Sequence, residues 1–186
     1  MALLNIEQVD DHTVYPEDVQ RLISATEVIE VRLDEVHAGP VSRLSDSLVV
    51  DVEVDEPQVG RTDAEDGVLV RFTHRLSCYA EETPEQTTNL QLSHVVALQV
   101  REQLNTTWPA VAAWVETNIY FLAYPYVRQS VTALTSSLGM PPVVLGYLNR
   151  GHRPISGRDG ADSQEGREEA GVSDEQLPGA ILARKP

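Results

Sequence analysis

The sequence predicts an α+β fold: a four-stranded antiparallel sheet, a long kinked helix after it packed on one face, a short helix before it, and a polar tail. Three observations carry this. Four segments between residues 26 and 98 alternate apolar and polar residues with a period of two, as strands do when one face is covered and the other wet. No convincing helix lies between them, which favours antiparallel pairing and puts the helices at the end. From Trp108 to Tyr147 the period changes to that of a helix, with Tyr120, Tyr124, Val127, Val131, Leu134 and Leu138 at steps of four and three on one seam.

In chain order, Pro16 stands at a first-turn position with Glu17 and Asp18 behind it and Val19, Leu22 and Ile23 on one face, which predicts a helix over 16–25. At Thr26 the period becomes two, with Ile29, Val31 and Leu33 set against Glu30, Arg32 and Asp34. Residues 47–55 repeat the pattern with Leu48, Val50, Val52 and Val54 against Asp51, Glu53 and Asp55. The stretch through Pro57, Gly60 and Asp66 reads as a loop. The longest strand runs from Val68 to Cys78, and the fourth alternates Leu90, Leu92, His94, Val96 and Leu98.

Thr107 is a candidate cap for a helix opening at Trp108 and Pro109. A straight helix from Pro109 to Leu138 would be about 45 Å long, and a proline inside a helix costs ~3 kcal/mol, so a bend near Pro125 is expected. Arg128, Gln129, Thr132, Thr135 and Ser136 read as its solvent side. Gly139 ends it, and Pro141 and Pro142 forbid continuation. Residues 1–149 therefore form one domain. Residues 150–186 are rich in Gly, Ser and charge and read as a disordered tail, with only a short apolar patch, Ala180 to Ala183, near its end.

The net charge of −15 argues against nucleic acid, since 22 of the 29 acidic side chains fall in residues 1–149 against eight Arg and no Lys. A single cysteine, Cys78, permits neither an internal disulfide nor a multi-cysteine zinc site and suits the cytoplasm. No apolar run approaches a membrane span, and the first residues lack the pattern of a signal peptide.

Signs of chemistry are sparse. His12, His37, His74, His94 and His152 show no metal-site spacing; His74 and His94 fall in the apolar phase of neighbouring strands, where a hydrogen-bonded pair in the core is the plain reading and a metal or catalytic pair the sharper one. Asp51, Glu53 and Asp55 share a strand face, but not at the spacing of a calcium loop. Cys78, in the apolar phase, reads as an inert small hydrophobe. No phosphate-cradling loop, nucleophile elbow or dinucleotide fingerprint occurs, so the expectation is a protein that is not an enzyme and takes no metal or cofactor.

The run Phe121-Leu122-Ala123-Tyr124-Pro125-Tyr126-Val127-Arg128, followed by Leu134, Ser136, Gly139, Pro141 and Val144, resembles the main-helix segment of SecB-type export chaperones, and the four preceding strands match that family in order. The resemblance implies a dimer of dimers that holds unfolded polypeptides without ATP. It puts the subunit contact on Tyr120, Val127, Val131, Leu134 and Leu138. It puts clients in apolar grooves at Phe121, Leu122, Tyr124, Tyr126, Val143, Val144, Leu145 and Tyr147, an arrangement suited to extended apolar chains.

Two departures qualify it. The family has a second helix after the crossover, whereas Gly146 here leads into the polar tail; and the family's acidic ending, which engages the motor SecA, is replaced by Ala183-Arg184-Lys185-Pro186. Both, with the extra helix at 16–25, are more like the SecB-like chaperones of toxin-antitoxin pairs. The expected client is thus an export precursor or an antitoxin, with an adaptor for one folded partner as the alternative.

Overall fold

A computed structural model of the chain describes residues 4–7, 13–41, 47–62, 67–80, 86–148 and 181–184. Its elements are β1 (Leu4–Glu7), α1 (Pro16–Ala25), β2 (Thr26–Ala38), β3 (Ser47–Val54), β4 (Gln58–Arg61), β5 (Gly67–Ala80), β6 (Gln86–Val100), β7 (Leu104–Thr107), α2 (Trp108–Trp114), a π-helical turn (Val115–Ile119), α3 (Tyr120–Ser137) and β8 (Ile181–Arg184).

The main sheet has the order β2-β6-β5-β3-β8, with β4 beside β5 and every pairing antiparallel. The four long strands are those the alternation predicts. In β5 and β6 the apolar phase turns inward, burying Val70, Phe72, Leu76 and Cys78 of β5 and Leu92, Val96 and Leu98 of β6, whereas Ile29 and Leu33 of β2, expected on the covered face, are exposed. Each such buried side chain contributes roughly 1.5–3 kcal/mol by leaving water. Beyond this sheet, β1 and β7 form a parallel pair in which Leu4 lies opposite Leu104.

Two of the expectations are corrected. The stretch through Pro57 and Gly60 is not all loop: Gln58–Arg61 takes up the edge of β5 where β3 leaves it, with Val59 opposite Val70. Ile181–Arg184, inside the segment read as disordered, pairs with β3; the rest of that tail expectation lies outside the described residues.

Helix α1 starts at Pro16 and ends at Ala25, burying Leu22 and Ala25. Thr107 is the extended residue before α2, although its hydroxyl does not cap the helix. Pro125 lies inside α3 on an exposed position and has no N–H to donate to the preceding turn. The change of winding comes earlier, at the π turn between Trp114 and Tyr120.

One core cluster lies between α1, α2 and the far end of the sheet, around Leu22, Phe72, Val96, Trp114 and Tyr120. The second lies between α3, the segment after it and the sheet, around Leu48, Val50, Leu76, Leu92, Val127 and Val131.

Candidate functional site

Beyond the end of α3, Gly139 has a φ of 73°, in the left-handed region, and Met140 N–H closes the turn by donating to Thr135 O at 3.0 Å. After Pro141 and Pro142 the chain runs back along α3 in extended form as far as Leu148. This crossover is held by side chains of the helix. Val143 N–H donates to Thr135 Oγ1 at 3.0 Å, and Thr132 Oγ1 lies 2.8 Å from Val143 O. Arg128 Nε donates to Leu145 O at 2.8 Å, and Tyr124 O–H donates to Gly146 O at 2.7 Å. Tyr124, Arg128, Thr132 and Thr135 follow one another at steps of four, four and three, one line along the helix. They replace the partner strand that an extended backbone otherwise needs.

Alternation then divides the crossover's side chains. Val143 and Leu145 are buried in the second core cluster, while Val144 and Tyr147 face out. Tyr147 is 89% exposed. The Arg128 guanidinium carbon stands 4.4 Å from its ring centroid, a cation–π contact at the mouth of this surface. Leu122 and Tyr126, one turn apart on α3, are also exposed.

The eight residues expected to line a groove thus separate into three kinds. Leu122, Tyr126, Val144 and Tyr147 are accessible, Phe121 and Tyr124 are half-buried, and Val143 and Leu145 belong to the chain's own core. The surface of the last two is taken up in the second cluster. The residues of the expected subunit seam divide in the same way. Tyr120, Val127 and Val131 are buried against this chain's own sheet, leaving only Leu134 and Leu138 half-exposed.

Thr135, read as a solvent-side residue, is buried and spans the helix and the crossover. The signal for this line was a pair of threonines three apart just before a Gly and a Pro-Pro, where a returning backbone needs donors and acceptors.

Beneath the helix, His74 and His94 meet edge to face with ring centroids 6.4 Å apart. His74 Nε2 lies 3.0 Å from Tyr120 Oη and His94 Nε2 lies 2.9 Å from Ser130 Oγ. Burial, with the neighbouring His94 adding to it, pushes His74 down to about 3, and burial pushes His94 down to about 4. Both rings are neutral at physiological pH. Burial likewise keeps the Tyr120 phenol protonated, and it raises the Cys78 thiol to about 11, which quenches its nucleophilicity. Among the described residues, no cluster of three or more His, Cys, Asp or Glu could hold a metal ion.

The sheet's other face is polar. It carries a depression of about 510 Å³ lined by His37, Glu53, Arg75, Asn89 and Gln91 among others. Asp55 there pairs with Arg75 at 2.8 Å. Among the described residues no helix is long and apolar enough to cross a membrane.

No protein-family model matches the chain, and no curated protein matches it. Among solved structures, it is similar to the Mycobacterium tuberculosis SecB-like chaperone Rv1957, in complex with a ChAD peptide from the antitoxin HigA1 (Rv1956), with a TM-score of 0.64 and 25% sequence identity. The match covers 73% of this chain and 99% of that one. The fold is SecB-like. In this SecB-like chain the expectation of a missing helix after the crossover falls on residues 149–180, outside the described residues. The SecB-like domain also carries α1 ahead of its sheet.

Proposed function

We propose that this SecB-like protein is an ATP-independent holding chaperone, not an enzyme, whose clients are extended or unfolded polypeptides. The observation that carries the reading is the accessible apolar set Leu122 and Tyr126 on α3 and Val144 and Tyr147 on a crossover tied to the helix by four hydrogen bonds. Apolar side chains kept at the surface by a stiff frame give a client's side chains something to bury against, with little ordering cost to the chaperone. Phe121 and Tyr124, half-buried, are further candidates for client contact, while Val143 and Leu145 anchor the crossover in the second core cluster.

The similarity to a chaperone bound to an antitoxin peptide supports an antitoxin segment as the client, ahead of export precursors. Self-association, as a dimer of dimers in the cytoplasm, is part of the reading. The surface suited to it is the free edge strand β2, where Ile29, Leu33 and Val36 are exposed, more than the seam of α3.

The test is light scattering of a chemically unfolded client diluted into buffer without ATP. Suppression of aggregation at near-equal ratios of client and assembled oligomer, with the folded client ignored, is the expected result. Failure with several unrelated clients would sink the general holdase and leave an adaptor dedicated to one folded partner.

A further inference from the structure

The outer edge of β3 is not bare. Ile181–Arg184 lies along it as an antiparallel strand, with Ser47 opposite Arg184, Leu48 opposite Ala183, Val49 opposite Leu182 and Val50 opposite Ile181. This segment is separated from the preceding described residue, Leu148, by a long stretch of chain, so the sheet takes in a piece of polypeptide from outside its own meander. Only half of the edge is used. β3 runs on through Asp51, Val52, Glu53 and Val54, and no described strand pairs with that half on its outer side. Pro178, three residues before Ile181, lacks the N–H that a longer ladder would need.

We infer that the β3 edge is a strand-acceptor site for extended peptides and that Ile181–Arg184 is its resident occupant, displaced when a client strand binds. The inference rests on the polypeptide-client reading proposed above and names a second place where the client's backbone is held. An unpaired strand edge is a template for any extended chain, because its N–H and C=O groups supply affinity independent of sequence.

Length decides the competition. The resident segment covers four residues of β3, whereas a client strand in register has eight, from Ser47 to Val54, available to it. Covalent attachment raises the effective concentration of the short segment at the edge, and the longer ladder offsets that advantage.

The chemistry of the preferred strand follows from the two faces of β3. Leu48 and Val50 are buried on the helix side, so residues of the added strand on that side extend an apolar surface. On the other side Asp51 and Glu53 are exposed and form no salt bridge with any described residue. The site therefore favours an extended segment that alternates apolar and basic residues.

The full chain carrying both Val49→Cys and Leu182→Cys tests this. These residues sit directly opposite one another, and opposed residues of an antiparallel pair have Cα atoms about 4.5–5.5 Å apart, within the range a disulfide spans. Cys78 is buried and does not compete. The probe is a fluorescein-labelled eight-residue peptide of alternating valine and lysine, followed by anisotropy.

Oxidation is expected to form the cross-link and weaken probe binding at least tenfold, and reductant is expected to restore it. Failure of the cross-link to form, no probe binding by the reduced protein, or equal affinity in the two states would each overturn the inference. Aggregation suppression measured on the same samples separates the two readings. A redox-dependent probe signal without suppression removes the holdase and keeps the strand site. Suppression with no redox effect on the probe does the reverse.

Discussion

Tyr120 reaches from the first turn of α3 into the sheet to meet His74, with Oη 3.0 Å from Nε2 and the two rings stacked at 18°. The Nδ1 atoms of both His74 and His94 are buried without a hydrogen-bond partner. The neutral pair is tolerated there; a charged one is not.

Acid should therefore unfold the protein early. The two histidines have folded values of about 3 and about 4 against 6.5 unfolded. Between pH 6.5 and 4 the unfolded chain binds protons that the folded one refuses, so the stability contributed above pH 6.5 is lost as pH falls through that window. The loss at pH 5 is on the order of a few kcal/mol for the pair. Urea midpoints at pH 7 and pH 5 measure it, and His94→Gln should reduce the difference.

Arg128→Met should loosen the crossover while leaving α3 intact, since methionine keeps the helix and the packing stem but removes the bond to Leu145 O and the cation over Tyr147. The expected cost is about 1–2 kcal/mol. Hydrogen exchange should rise within 140–148 and remain unchanged in β5. Uniform acceleration across the sheet would show that the crossover contributes to the whole fold and not to one surface.

Val131→Asp and Leu33→Asp should separate folding from assembly. Val131 is fully buried against the second core cluster, so an aspartate there places an unpaired charge in the core at a cost of several kcal/mol and unfolds the protomer. Leu33 is 45% exposed on the edge strand, so the same change should leave circular dichroism unaltered and lower the mass seen by light scattering. A folded, smaller Val131→Asp protein would return the subunit contact to the seam of α3.

Val144→Asp probes the client surface. The side chain is 53% exposed and faces away from the core, so stability should stay within about 0.5 kcal/mol. Affinity for an unfolded client should fall roughly tenfold, as a charge enters a surface that clients must desolvate. Unchanged affinity in titration calorimetry would move the site off the crossover.

How far the sequence could be read depended on the length of each signal. The four long strands and α1 are eight or more residues long, and each was legible to within a few residues. β1, β4, β7 and β8 have four residues each, too few for alternation to stand out, and β4 also contains Gly60 amid polar neighbours. The seam of α3 was legible as a face, but periodicity says that a face is buried and not what buries it. For Val127 and Val131 the partner is the chain's own sheet. The bonding line of Arg128, Thr132 and Thr135 was hidden for the same reason: polar residues on a helix read as wet until a returning backbone is known to lie over them. That His74 and His94 could face one another followed from strand order and phase, and the structure sets their rings edge to face.

The π turn at Val115–Ile119 makes the alignment of α2 with α3 a matter of a single residue. A π turn amounts to one residue inserted into an α helix, and each residue rotates the helix by about 100°. Trp114 ahead of the turn and Tyr120 behind it are both buried, each aimed at the same core from a different helical phase. Deleting one residue between them would let the helix wind evenly with Tyr120, Val127 and Val131 still facing the sheet, because the π turn is what absorbs the extra residue. SecB-like chains that lack this extra residue must therefore carry their buried seam at different positions relative to the tryptophan helix, and aligning such sequences without a one-residue gap at this turn would misassign every contact downstream.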